Sequence, residues 1–494
     1  MQDTSVEADY NVRPSAGAGD PDTQPILPTL HRSREMASAV TADNSSEKPI
    51  TSYDELLSLF HESIKPQERF RVGAEMEKFG VFANGDPVPY EGDAGVSTLM
   101  KELAASGGWK AEAEMEGGPT LALLRDGASI TLEPGSQFEL SGAPLETCHQ
   151  ICAEFRGHLA DLTPFSERHQ IKWLGLGFHP FATREQFTMV PKQRYSIMRE
   201  YLPTRGGLAL DMMLRTATVQ ANYDYLSEDD AMLKMKVALR LAPLTTALFA
   251  NSPFVEGKPF GGKSMRAKVW LDTDPDRSGL VPTVWKKGAK FVDYVEWALD
   301  VPMFMFKRDG QKLANTGQSF RSFWKSGYQG HKPNMTDWKT HLNTLFPEVR
   351  LKNTIEVRGA DSQGAKMACT LPALWTGIFY DKQALTEAEA LTHDWTYDEV
   401  NATRKEVWNK GLGSRFRGAT LQPVAEKVLT LAAGGLERRG FKSASGKDER
   451  AHLARLEELV ANGQTPADKL LDGIEHVRDM RAEIIARSDL GIGT

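Results

Sequence analysis

Cysteine is nearly absent from this 494-residue chain: there are three, too few for the disulfide framework of a small secreted domain. No run of about 18 apolar residues occurs, so no segment is suited to span a bilayer as a helix. Basic blocks are missing as well. The 59 Lys and Arg stand against 66 Asp and Glu, a net charge of −7, which gives no electrostatic footprint for nucleic acid. Neither Gly-x-Ser-x-Gly nor His-Glu-x-x-His appears, so a hydrolase reading has no anchor. Present instead are 40% apolar and 9% aromatic residues, enough for a large buried core. The length suits two or three domains, or one large mixed catalytic domain.

Residues 1–50 are rich in Asp, Ser, Thr, Pro, Ala and Gly without an apolar period, and read as a disordered leader. Asp3, Glu7, Asp9, Asp20 and Asp22 argue against an acid-poor transit peptide, and no secretory apolar region is present, so the expected location is cytoplasmic. Folded sequence is expected from Thr51, where Ser52 and Glu55 form a capping-box pattern ahead of Leu56, Leu57 and Phe60. Residues 51–383 mix alternating segments with amphipathic helical ones such as 145–162 and 229–248, which predicts an α+β catalytic domain. From 384 to 494 the pattern turns helical and charged, a C-terminal subregion expected to pack on that domain.

Four segments carry polar residues at every second position. In Phe70–Val81 (FRVGAEMEKFGV) Glu75 and Glu77 share a strand face, about 6 to 7 Å apart. Ser129–Ser141 (SITLEPGSQFELS) holds Glu133, a Pro-Gly break, then Gln137 and Glu139 on one face. Thr218–Tyr225 groups Gln220, Asn222 and Asp224, and Thr354–Asp361 sets Glu356 beside Arg358. If the four share one sheet, carboxylates, two amides and an arginine converge on one surface. Hard oxygen ligands with few imidazoles suit Mg2+ bound together with phosphate, and so phosphoryl chemistry. The same alternation also marks the solvated face of an antiparallel sheet, and periodicity alone leaves both readings open.

Gly257–Ser264 (GKPFGGKS) matches the phosphate-cradling pattern G-x-x-x-x-G-K-S/T, which would make the chain a P-loop NTPase. That mechanism needs a buried strand before the loop and a sustained helix after it. Asn251, Ser252 and Pro253 precede it in a turn-like run, and Asp272, Asp274 and Pro275 soon stop any helix after it, so a plain loop is the preferred reading. Cys148, His149 and Cys152 lack a second ligand pair for zinc.

At these same segments the chain resembles glutamate-cysteine ligase of the plant and proteobacterial type, related to glutamine synthetase. The likeness runs from about Thr51 to Asp381 through GAEMEKFG, LEPGSQFELSGAPLETCHQICAE, LDMMLRTATVQANYDY, ALFANSPFVEGKP, SMRAKVWLDTDPDR, ALDVPMF, FPEVRLKNTIEVRGAD and LPALWTGIFYD, in order. The resemblance implies an antiparallel sheet curved into a funnel with helices outside. It implies ATP-dependent joining of glutamate to cysteine through a γ-glutamyl phosphate, the first step of glutathione synthesis. By the family's pattern Glu75, Glu77, Glu133, Glu139 and Glu356 hold Mg2+, and Gln220 and Asn222 help at metal or nucleotide. Arg358 neutralises the transferred phosphoryl group, Arg266 and Arg194 clamp a glutamate carboxylate, and Glu356 and Arg358 are the catalytic pair.

Phe304 stands where plant relatives carry a Tyr near the cysteine substrate, which leaves room for a γ-glutamyl ligase acting on another amine. Cys152 and Cys369 match two positions that form a redox-sensitive disulfide in plant members, with two buried thiols as the alternative. The ending HVRDMRAEIIARSDLGIGT departs from the family's usual one. Partners are the small-molecule substrates glutamate, cysteine and ATP; homodimerisation is left open by the sequence.

Overall fold

The computed structural model of the protein describes residues 48–491; the expected leader, apart from its last three residues, lies outside them. Packing contacts are already made one residue before Thr51. Ile50 is buried, donates its N–H to the Pro333 carbonyl at 2.9 Å and accepts from the Trp324 indole at 2.9 Å. The first helix, Tyr53–His61, opens with the expected capping box, Ser52 accepting from the Glu55 amide while the Glu55 carboxylate receives the Ser52 amide.

The chain combines helices with a nine-stranded antiparallel sheet. Its strands in chain order are β1 (Val72–Val81), β2 (Lys110–Ala113), β3 (Thr120–Arg125), β4 (Ala128–Leu132), β5 (Phe138–Ser141), β6 (Lys172–Leu174), β7 (Thr218–Tyr223), β8 (Val349–Leu351) and β9 (Ile355–Asp361). In space they run β8-β9-β7-β1-β5-β4-β3-β2, with β6 on the far end of β1. All four polar-alternating segments therefore contribute neighbouring strands. Period two sends their apolar residues, among them Met76, Leu140, Val219, Ala221, Ile355 and Val357, into a continuous core.

Helix Cys148–His169 covers the sheet on that apolar side, and helix Thr370–Phe379 packs on both β7 and helix Gln422–Arg439. The latter two approach so closely that a Cβ on Gly435 would lie 1.9 Å from the Gly377 carbonyl oxygen, a crossing only glycine permits. The expected helix over 229–248 is two, Glu228–Arg240 and Ala242–Leu248, broken at Leu241 ahead of Pro243. At the other end, Ile484 and Ile485 of the last helix, Met480–Ser488, join Phe79, Val81 and Leu174 in a second, smaller core. Leu490 donates its N–H to the Trp173 carbonyl at 2.9 Å, so the atypical ending is built into the β6 edge.

Candidate active site

Strand register determines which side chains meet. Glu77 lies opposite Glu139 on β5, Glu75 opposite Gln220 on β7, and Asn222 opposite Glu356 on β9. Since each pair shares a face, one surface carries Glu139, Glu75, Glu77, Gln220, Asn222 and Glu356 across four adjacent strands. Glu133 joins from the turn after β4. There a Cβ on Gly135 would sit 2.3 Å from the Leu214 carbonyl oxygen, so only glycine lets this turn lie so close.

Each carboxylate is oriented by a donor. Glu75 accepts from the Asn222 amide at 2.9 Å, Glu77 from the Thr218 N–H at 2.9 Å, and Glu139 from the Thr131 and Ser141 hydroxyls at 2.5 and 2.7 Å. No cation pairs with Glu75, Glu77 or Glu139 among the described residues, and the cost is visible in their neighbourhood. Burial, then the charges of Glu356 and Glu139, push Glu75 up to about 7. Burial, then Glu133 and Glu139, push Glu77 well above the usual carboxylate range. Glu133 is also raised by burial and by Glu139, against the pull of Arg194 at 3.5 Å.

Glu356 is the opposite case. Fully buried, it receives Arg350 through two bonds of 2.7 and 3.0 Å, with Lys352 at 3.4 Å and Arg358 in direct contact. Burial opposes ionisation, yet the three cations hold it well below the usual range. Arg358 also donates to the Gln220 side-chain oxygen, so Gln220 fixes the guanidinium as Asn222 fixes Glu75. Arg266, 5% exposed, donates to the Arg358 carbonyl at 2.9 Å and lines a cleft with Arg358, Glu348, Trp270, Phe346 and Arg404.

The model for glutamate-cysteine ligase family 2 matches residues 71–488. The chain belongs to this family. It is 44% identical over 445 residues to the chloroplastic glutamate-cysteine ligase of Medicago truncatula, covering 87% of this chain and 85% of the relative. To the chloroplastic enzyme of Arabidopsis thaliana it is 45% identical over 429 residues, covering 86% and 80%. Among solved structures, a glutamate-cysteine ligase of Francisella tularensis in complex with AMP shares the fold. Its TM-score is 0.50 at 12% identity, with 85% of this chain and 87% of that one covered.

Family membership and structure correct several expectations. The cytoplasmic expectation is overturned: the plant relatives reported above are named as chloroplastic enzymes. The acidic leader that argued otherwise falls largely in residues 1–47, outside the described ones. The P-loop reading fails because a short hairpin, Phe254–Val255 with Lys258–Pro259, takes up the start of the loop itself where a buried strand should lead into it, and only a six-residue helix, Met265–Trp270, comes after it. Lys263 is paired with Asp468 and the Ser264 hydroxyl donates to Asp361 at 2.8 Å, so neither is free for phosphate.

Phe304 is not at the surface of the cleft. It is fully buried, with the Arg277 guanidinium 3.8 Å from its ring centre and the ring of Phe346, which lines the cleft, 6.2 Å away. Gln137 and Asp224, grouped with the acids by alternation, are held elsewhere: Gln137 donates to the Met213 and Thr216 carbonyls, and Asp224 pairs with Lys65 at 2.7 Å. Cys152 and Cys369 are joined as a disulfide between helix Cys148–His169 and the start of helix Thr370–Phe379, and Cys148 is a buried free thiol. Sequence reasoning missed Arg350, Lys352 and Arg404. The first two occupy alternate positions of VRLKNTIEVR, just ahead of Glu356, a signal the sequence offered. Arg404 lies on helix Tyr397–Lys410 and carries no local mark.

Proposed function

We propose that this chain joins the γ-carboxylate of glutamate to the amine of cysteine with ATP as the energy source, the first step of glutathione synthesis. The names of the curated relatives support this activity. The observation that carries the chemistry is the set Glu75, Glu77, Glu133 and Glu139, carboxylates whose mutual repulsion and burial raise three of them, next to Arg358 and Arg266. Buried like charges gathered in this way are stable in ionised form only with a cation among them. An all-oxygen donor set fits Mg2+, an ion that takes few carboxylates and leaves its other positions to water and substrate phosphates.

In this reading Glu75, Glu77, Glu133 and Glu139 hold the ion, and Glu356 enters the ligand set only by releasing one of its three cations. Bound Mg2+ would supply neutralisation of the ATP phosphate oxygens. Arg358, held by Gln220 and Glu356, offers its guanidinium to the γ-phosphoryl group as a glutamate oxygen attacks phosphorus and ADP departs. Asn222 keeps Glu75 in place. Arg266 and Arg194 hold glutamate carboxylates so that the acyl phosphate presents its carbon to the cysteine amine, which displaces phosphate. The protein contributes charge and position, not a nucleophile of its own.

We read the sheet as the concave wall of a glutamine-synthetase-like funnel. Residues 51–383 form the catalytic domain and 384–494 a helical subregion packed on it; Arg404 at the cleft, 2.6 Å from Glu348, supports a contribution from that subregion to the site. A ligase for another amine rested on Phe304, whose full burial under the Arg277 guanidinium gives that reading no support. The test is ADP release with ATP, Mg2+ and glutamate, with and without cysteine, and the product identified by mass. Cysteine-dependent ADP with γ-glutamylcysteine is expected; ADP that needs glutamate but ignores cysteine would reject the substrate assignment.

A further inference from the structure

Behind the face that carries the acids, β1 buries a lysine. Period two sends Lys78 to the apolar side, opposite Phe138 on β5, where it is 1% exposed. Its ammonium donates to the Phe138 carbonyl at 3.0 Å and to the Met76 carbonyl at 3.3 Å, and it lies 5.6 Å from the centre of the Phe138 ring. His158, stacked on that ring at 5.9 Å, is fully buried with both ring nitrogens unpartnered, and burial with the Lys78 charge keeps it neutral. No acidic side chain forms an ion pair with Lys78 among the described residues. A methionine would fill the same space without the cost of a buried charge.

The two carbonyls identify what the lysine does. The peptide unit that ends in the Met76 carbonyl begins Glu77, and the one that ends in the Phe138 carbonyl begins Glu139. One ammonium thus ties together, from the rear, the backbone of the two carboxylates that face each other across β1 and β5. Burial pulls the Lys78 ammonium down to about 7, and the charges of Glu139 and Glu77 act against that pull. We propose that Lys78 is a positioning residue of the cation site, fixing the Glu77–Glu139 pair in register and offsetting their repulsion through the sheet while touching neither metal nor substrate. This rests on the cation reading given above.

The test is Mn2+ binding to the full chain, followed by the electron paramagnetic resonance signal of free Mn2+, alongside the Mg2+ concentration that half-activates ADP release. Lys78→Met should weaken Mn2+ binding about tenfold and raise the half-activating Mg2+ by a similar factor, with the KM for glutamate unchanged. Lys78→Arg, which keeps charge and donors, should recover most of the loss. A folded Lys78→Met protein that binds Mn2+ as wild type does would overturn the proposal, even with a lowered Tm. If Lys78→Met fails to fold, Lys78→Gln decides on the same readout: weaker binding supports the role and wild-type binding overturns it. Wild-type protein that neither binds Mn2+ nor releases ADP would reject the cation reading itself, a result separate from failure of the lysine alone.

Discussion

One carboxylate, Glu356, is surrounded by Arg350, Lys352 and Arg358, whereas two strands away Glu77 faces Glu139 with no ion pair to either among the described residues. Both places are on one face of one sheet, and both lie largely out of water. At the first, the fold supplies the counter-charge from side chains in direct contact; at the second it supplies no cation on that face, only Lys78 behind the sheet. In the proposed reading the first is held in place by the fold and the second receives its counter-charge from the bound ion. The sequence writes the same letter, Glu at alternate positions, in both.

The contrast can be broken most directly by removing each carboxylate in turn. Glu356→Gln leaves three buried cations without their partner, and should cost about 3–5 kcal/mol of stability as well as turnover, read by chemical denaturation. Glu77→Gln should lower ADP release by about 10²–10³-fold while the Tm of the ion-free protein holds or rises, because a repulsion has been removed. Equal loss of stability in both variants would erase the distinction.

A smaller effect separates the two by pH. Glu75 titrates in the folded state at about 7 against an ordinary 4.5, so the folded protein holds that proton more tightly than the unfolded chain. Its favourable contribution is full below about 4.5 and is lost as pH rises through about 7. Ion-free protein should therefore melt a few degrees lower at pH 7.5 than at pH 5, and millimolar Mg2+ should remove most of the difference. Glu356 has the reverse sign, its contribution being lost only as the pH falls far below the carboxylate range.

Arg358→Lys keeps the charge beside Glu356 but not the fork shared with Gln220, and a decrease in kcat of about 10–100-fold is expected in steady-state assays. The smallest change belongs to Lys263→Ala. Removal of a partly exposed pair with Asp468 should cost under about 1 kcal/mol and leave turnover within about twofold, and a collapse of turnover would revive the phosphate-loop reading.

The strands were legible because period two runs unbroken through Glu75–Glu77, Gln220–Asn222 and Glu356–Arg358, and register then placed them side by side. Alternation misassigned Gln137 and Asp224 for a local reason: both lie just outside their strands, where the chain has left the pleat. Phe304 was legible as a residue but not as a position, since depth depends on what packs over it. The order of the strands in the sheet was likewise invisible in the periodicity, because neighbours such as β1 and β7 are more than 130 residues apart.

What the sequence determined by itself was the family, the strand faces and the inventory of acids and arginines, all of which are set by residue type and spacing along the chain. Only the tertiary structure decided which acids would be neutralised, that Lys78 would sit behind Glu77 and Glu139, that Arg404 would reach the cleft and that Cys152 would meet Cys369 across a separation of 217 residues. Electrostatic compensation depends on distance through space, and a linear pattern carries distance only within one element.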